Sequence, residues 1–164
     1  MFKVTEDLYA SSGKRFLNSI IDGVVIFFIA IGIEYVLFYI NDIFEVESLY
    51  YYYLEMSVFE EYALGYVINF LFFFTMEITT SKTIGKFATN TIVVMNDGEK
   101  PSPKVIAIRS LCRLIPFEMF SYLGTPCRGW HDSISKTYVV EKQRLENKKG
   151  NIEALDQIGV SSNE

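Results

Sequence analysis

The sequence contains little of the chemistry from which catalytic and metal sites are built. Its 164 residues include one histidine and two cysteines, Cys112 and Cys127. A structural zinc site needs four ligands of these types, and no Ser or Cys stands in a recognisable nucleophile motif. We therefore predict a chain that is not an enzyme, has no cofactor and no metal site, and uses its cysteines as small packing residues.

Basic residues are missing from one long stretch of the chain. Lys and Arg number 15, yet none occurs between Phe16 and Ser81. Both long apolar segments lie there, and such segments without basic residues are typical of membrane spans. The first, from Arg15 to Ile40, is about 37 Å long as a helix, more than the roughly 30 Å of hydrocarbon in a bilayer. We predict two transmembrane helices, at residues 15–40 and 62–78.

The charge distribution predicts the topology. The connector between the spans, residues 41–61, carries six acidic residues and no basic one, whereas residues 82–149 carry twelve basic against six acidic residues. Basic segments next to membrane spans stay on the cytoplasmic side. We therefore expect a protein of the cytoplasmic (inner) membrane with both termini and residues 79–142 in the cytoplasm. Its charge partners are then anionic lipid headgroups rather than nucleic acid.

Two short segments of the predicted cytoplasmic part alternate like strands. Residues 91–95 and 136–141 are rich in β-branched side chains. Because each alone would expose an unpaired edge, we pair them as a short two-stranded ribbon. The predicted fold class is an all-α membrane protein with two transmembrane helices, this ribbon and one further helix.

The further helix is predicted within residues 104–124. It carries apolar residues at helical spacing, with Arg109 and Arg113 on the opposite face. We expect it to lie on the cytoplasmic surface, or to dip into the membrane and return, with both arginines reaching lipid phosphates. Residues 1–13 form an N-terminal cytoplasmic segment, and residues 143–164 are predicted to be a polar, disordered tail.

A polar stripe runs along the start of the first predicted span. Arg15, Asn18 and Asp22 are spaced i, i+3 and i+7, so they share one helix face. A carboxylate inside the apolar layer is costly unless it is paired or protonated. Arg15 could pair with Asp22 or with Asp132 in a structural network. Alternatively, Asp22 could exchange a proton for a cation, with Asn69 and Glu77 as its neighbours.

Several motifs in a fixed order resemble the RDD family of small integral membrane proteins. They are an arginine and an aspartate in the first span, Thr-x-Gly-Lys after the second, Arg-x-x-x-Arg in a helix and His-Asp before the last strand. In this chain they are Arg15, Asp22, Thr83, Gly85, Lys86, Arg109, Arg113, His131 and Asp132. One departure is Ile84, where the family usually has proline. The resemblance implies a membrane domain over residues 14–142.

The resemblance leaves two functions open. Some members have been proposed as cation/proton antiporters and others as accessory factors of membrane complexes. For this chain the first is an oligomeric cation/proton transporter that relies on Asp22, since two spans cannot enclose a pathway alone. The second is a non-catalytic accessory or assembly subunit whose partner is another membrane protein.

Overall fold

The computed structural model describes residues 2–45, 47–121 and 127–161, and the first half of the chain is built from helices. These helices are α1 (Ser12–Phe44), α2 (Glu47–Leu54) and α3 (Val58–Thr80). Both α1 and α3 are long and apolar enough to cross a membrane, as predicted. Each extends beyond its predicted limits. Together with α2, these extensions make most of the predicted connector helical.

Within the described residues, five short elements and a final longer helix follow α3. They are α4 (Ile84–Ala88), β1 (Thr91–Val94), α5 (Pro103–Cys112), α6 (Trp130–Ser135), β2 (Tyr138–Glu141) and α7 (Lys142–Ser161), with a 3-10 turn at Glu118–Phe120. β1 and β2 pair antiparallel, with Thr91 opposite Glu141 and Val94 opposite Tyr138. The predicted two-stranded ribbon is therefore confirmed.

The N-terminal segment completes a small core on this ribbon. The Val4 N–H donates to the Asn96 carbonyl at 2.8 Å, and the Ala10 N–H donates to the Val139 carbonyl at 3.0 Å. A buried apolar cluster results, consisting of Val4, Leu8, Val94, Val140 and Leu145. The start of α1 is thereby tied to the ribbon through backbone hydrogen bonds.

The C-terminal part differs from the predicted disordered tail. Residues 142–161 form α7, and Leu145 in its first turns is buried in the ribbon core. Lys148 donates to the Asp7 carboxylate at 3.0 Å, which fixes α7 to the N-terminal segment. Composition alone missed this helix because its apolar face needs the N-terminal segment as a partner. Residues 162–164 lie outside the described chain.

Helix α5 corrects the prediction for residues 104–124. With ten residues it is about 15 Å long, too short to span a bilayer. Its polarity is the reverse of the predicted one, because Arg109 is fully buried while Leu111 is 55% exposed. The two arginines therefore do not reach outward to lipid phosphates; they turn inward to buried carboxylates. The end of the predicted segment, from residue 122, lies outside the described chain.

Helix α4 packs against α1 at a distance that only glycine permits. A Cβ on Gly85 would come within 2.4 Å of the Asn18 carbonyl oxygen, which belongs to the α1 backbone. A methyl group there would push the two helices apart. The Thr-x-Gly-Lys motif thus contains its glycine for close packing.

We predict that Gly85→Ala destabilises the folded protein by about 1–3 kcal/mol, the usual cost of overpacking a well-packed contact. Gly23→Ala is the matched control, because no atom lies within 4 Å of a Cβ at that position of α1. The measurement is thermal unfolding in detergent. Equal melting temperatures for the two variants would contradict the close approach.

Candidate functional site

Asp22 accepts hydrogen bonds at the start of α4. Its Oδ2 accepts from the Thr83 hydroxyl at 2.6 Å and its Oδ1 accepts from the Gly85 N–H at 2.8 Å. The first N–H groups of a helix lack partners within the helix, so this carboxylate satisfies one of them. Ile84 is the first residue of α4, a position that also suits proline. The departure from the family pattern is therefore structurally neutral.

Asn18 holds the next part of the chain against α1. With its amide nitrogen towards α4, it donates to the Gly85 carbonyl at 2.9 Å and to the Thr89 hydroxyl at 2.6 Å. In the same orientation its oxygen accepts from the Thr91 hydroxyl at 3.1 Å. One amide thus connects α1 to both ends of the turn that leads from α4 into β1.

Arg15 binds the segment that begins α6. Its Nη1 donates to the Cys127 carbonyl at 2.7 Å, and its Nη2 pairs with the Asp132 carboxylate. Asp132 also accepts from the Gly129 N–H at 3.3 Å, which closes the first turn of α6. Of the two pairings that the sequence left open, Arg15 makes the one with Asp132, while Asp22 binds α4.

Arg109 lies at the centre of the site and is fully buried. Its Nε donates to Glu77 on α3 at 2.8 Å, and its Nη1 pairs with Asp132. The same nitrogen donates to the Thr137 hydroxyl at 2.6 Å, just before β2. One guanidinium therefore connects α3, α5, α6 and the ribbon.

Glu77 receives two further cations. Lys86 Nζ donates to it at 2.8 Å, and Arg113 Nη2 lies 3.5 Å from the same carboxylate oxygen. The Arg113 guanidinium also stacks over the Phe73 ring, 4.2 Å from its centroid. Cation–π contact of this kind stabilises a charge that has left water.

His131 and Glu118 form the remaining pair. The His131 Nδ1 contacts the Glu118 carboxylate, which also accepts from the Ser121 hydroxyl at 3.2 Å. Burial lowers the pKa of His131 below its usual value, and the nearby Arg113 lowers it further. The contact joins α6 to the 3-10 turn at Glu118–Phe120.

The charges that meet in the site compensate each other in number. Four cationic side chains face four carboxylates within one network, here called the polar network: Arg15, Lys86, Arg109 and Arg113 against Asp22, Glu77, Glu118 and Asp132. Buried charges are tolerated when they are paired and hydrogen-bonded.

The ionisation of the groups outside α1 and α3 follows from this pairing. Burial alone would raise the pKa of Asp132, but Arg109, His131 and Arg15 hold it well below its usual value. Burial opposes ionisation of Glu118 too, yet the hydrogen bond from His131 lowers its pKa to about 2. Burial lowers the pKa of Lys86 to about 8 despite the neighbouring Glu77.

Most of the predicted site residues lie together in the polar network. Glu77 binds Lys86, Arg109 and Arg113, whereas Asp22 accepts its hydrogen bonds from Thr83 and Gly85. Asn69 lies eight residues before Glu77 on α3, about 12 Å along the helix. Its Oδ1 is buried and has no hydrogen-bond partner within the described chain.

Sequence reasoning missed several members of the polar network. Glu118 had a usable signal, since a carboxylate in an apolar segment needs a buried partner. The hydroxyl partners Thr89, Thr91 and Thr137 carried no such signal, because threonine is common in strands and turns. Across the described residues, no group of three or more His, Cys, Asp or Glu side chains could hold a metal ion.

A comparison of the sequence with models of known families tests the resemblance. A model described as the RDD family matches residues 9–136. The chain belongs to the RDD family. No curated protein and no solved structure matches it. The RDD match covers every charged member of the polar network, and α7 follows it in the chain.

We predict strong coupling between Arg15 and Asp132. Removing either partner of a buried pair costs about 3–5 kcal/mol, since the other charge is left uncompensated. Arg15→Gln with Asp132→Asn should therefore cost less than the sum of the single variants, by about 0.5–3 kcal/mol. Unfolding free energies in detergent measure this. The comparison cycle combines Arg15→Gln with Asp22→Asn, and a coupling as large there would contradict the observed pairing.

We predict that Glu118 makes the protein sensitive to acid. Its pKa of about 2 lies below the value of 4.5 for an unfolded chain. Its stabilisation is therefore complete above the unfolded pKa and is lost as the pH falls towards the folded one, on the order of 3 kcal/mol. Between about pH 5 and pH 3, the melting temperature of the wild type should fall further than that of Glu118→Gln. Glu55→Gln, at an exposed site, should behave like the wild type.

Proposed function

We propose that this RDD-family protein is a non-enzymatic accessory subunit of the cytoplasmic membrane. In this proposal α1 and α3 cross the bilayer, and both termini lie in the cytoplasm. The polar network holds the short helices and the ribbon at the inner membrane surface. The apolar faces of α1 and α3 bind the helices of another membrane protein.

The bonding of Asp22 is the observation that supports this proposal. Both of its oxygens are occupied, one by the Thr83 hydroxyl and one by the Gly85 N–H. A proton on Oδ1 would weaken the bond from the Gly85 N–H, and a proton on Oδ2 would displace the hydrogen of the Thr83 hydroxyl, so protonation disturbs a bond that the carboxylate already makes. An aspartate that joins two helices in this way is suited to a structural role.

The exposed faces of the two long helices support the proposed binding of another membrane protein. Gly32 on α1 and Gly65 on α3 have no atom within 4 Å of a Cβ placed on them, so both backbones are open to a neighbour. Large apolar side chains stand exposed around them, such as Phe28 at 64% and Tyr62 at 67%. In lipid, helices associate by close packing at small residues, since the tails are as apolar as the side chains.

One observation favours the alternative of an oligomeric cation/proton transporter. Lys86 is buried against Glu77, and its pKa of about 8 lies close to physiological pH. A group that gains and loses a proton near neutral pH is what proton exchange requires. Lys86 is therefore a better candidate than Asp22 for a proton carrier in that reading.

The two functions predict opposite results in liposomes. The accessory role predicts that the folded wild type leaves an imposed pH gradient intact when Na⁺ or K⁺ is added, and that it is purified together with an unrelated membrane protein. Asp22→Asn should then lower the folded yield, while the surviving protein still binds that partner. Lys86→Met serves as the matched variant for proton exchange.

Transport would show itself differently. Cation-dependent collapse of the gradient by the wild type, lost in Lys86→Met or Asp22→Asn at unchanged melting temperature, would contradict the accessory role. Recovery of the protein as a closed homo-oligomer without any other subunit would point the same way, because two spans need further copies to enclose a pathway.

A further inference from the structure

The polar network is surrounded by exposed apolar side chains on the short elements that enclose it. We call this surface the collar, and it consists of Phe87, Leu111, Phe117, Phe120, Trp130 and Ile134. Their exposed fractions lie between 47% and 76%. Large exposed apolar surfaces mark places where a protein contacts a membrane or another protein.

The collar is the outer side of elements whose inner side is charged. On α5, Arg109 is fully buried and Leu111 is 55% exposed. On α6, Asp132 is fully buried while Ile134 is 57% exposed. Water would favour the opposite arrangement, but hydrocarbon favours this one, because a charge in contact with lipid has no partner.

Exposed apolar side chains also flank the polar stripe on α1. Phe16, Leu17 and Ile20 are between 36% and 48% exposed. They lie at the same helical level as Arg15 and Asn18, to which the short elements are bonded. If α1 crosses a bilayer, the elements that carry the collar are therefore held beside this part of the span.

The depth of the collar can be estimated along α1. Phe117 lines a cavity of about 210 Å³ together with Gly23, Ile26 and Asn69. Trp130 lies two residues before Asp132, which pairs with Arg15. The α1 residues that line this cavity follow Arg15 in the helix, so Phe117 lies further along the span than the segment that Arg15 binds.

The backbone conformation of Phe117 is a second observation that supports contact between the collar and its surroundings. Its φ is +64°, in the left-handed region that glycine adopts most readily. A phenylalanine there is conformationally unfavourable, and its ring is 76% exposed. Most of the ring surface therefore faces the surroundings of the protein and not its interior.

We propose that the collar is immersed among the acyl chains of the cytoplasmic leaflet. Phe117 lies deepest, Trp130 lies near the headgroup boundary, and the polar network is enclosed below the headgroups. Lys104, exposed at the first turn of α5, lies on the headgroup side of the same helix. This inference rests on the proposed insertion of α1 and α3.

Trp130 is the single tryptophan of the sequence and provides a built-in probe. The protein is reconstituted in phosphatidylcholine and phosphatidylglycerol vesicles that contain lipids brominated at successive acyl positions. In a second protein, Trp130→Phe is combined with Phe117→Trp, which moves the probe to position 117. In a third, Trp130→Phe is combined with Glu146→Trp, which places the probe on the exposed surface of α7. All variants are first shown to retain the wild-type melting temperature.

We predict that brominated lipids quench the probe at both collar positions, while aqueous acrylamide quenches neither strongly. The Phe117→Trp probe should lie deeper than Trp130, and the Glu146→Trp probe should respond to acrylamide alone. Acrylamide quenching of both collar probes would overturn the inference. Insensitivity of both to acrylamide and to brominated lipids would also overturn it, because protein would then cover the collar.

A thiol experiment separates this outcome from a failure of insertion. In right-side-out vesicles, Cys127 should not react with a membrane-impermeant reagent until the membrane is opened, whereas Glu55→Cys in the connector should react at once. Reaction of Cys127 from outside would overturn the proposed topology and the immersion with it. The expected thiol pattern together with acrylamide-quenched collar probes would overturn the immersion alone.

Discussion

The rest of the structure depends on the double ion pair of Arg109. This fully buried guanidinium binds Glu77 on α3 and Asp132 at the start of α6. A lysine could not replace it, because a single ammonium lacks the rigid fork that reaches two carboxylates in different directions. Without it, two buried carboxylates would compete for the remaining cations. This one side chain connects α3 to the start of α6 and, through the Thr137 hydroxyl, to the segment just before β2.

Three residues of the polar stripe on α1 each fix a different part of the structure. Arg15 fixes the start of α6, Asn18 fixes the turn into β1, and Asp22 fixes the start of α4. The two helices among these elements are short, with five residues in α4 and six in α6. A short helix such as α4 is not stable alone, so its position depends on these polar bonds. This explains why motifs so far apart in the sequence belong to one site.

Much of the fold could be predicted from the sequence, because hydropathy and strand alternation are local properties. The two long helices, the antiparallel ribbon and the shared face of Arg15, Asn18 and Asp22 all follow from spacing along the chain. The partners of these residues do not. Which carboxylate meets Arg15 depends on how residues after α3 return to α1, and no spacing rule encodes that return. Likewise, α7 needs Asp7 and the N-terminal core as neighbours, and these lie at the other end of the chain.

The wrong orientation of α5 has a different cause. Periodicity shows that arginines and apolar residues occupy opposite faces, but it does not say which face is outside. That choice depends on the medium and on the partners available inside. Here Glu77 and Asp132 offer two buried carboxylates, and Arg109 is bonded to both. Since those carboxylates lie 32 residues before and 23 residues after Arg109, the amphipathic pattern of α5 could not reveal that its charged face points inward.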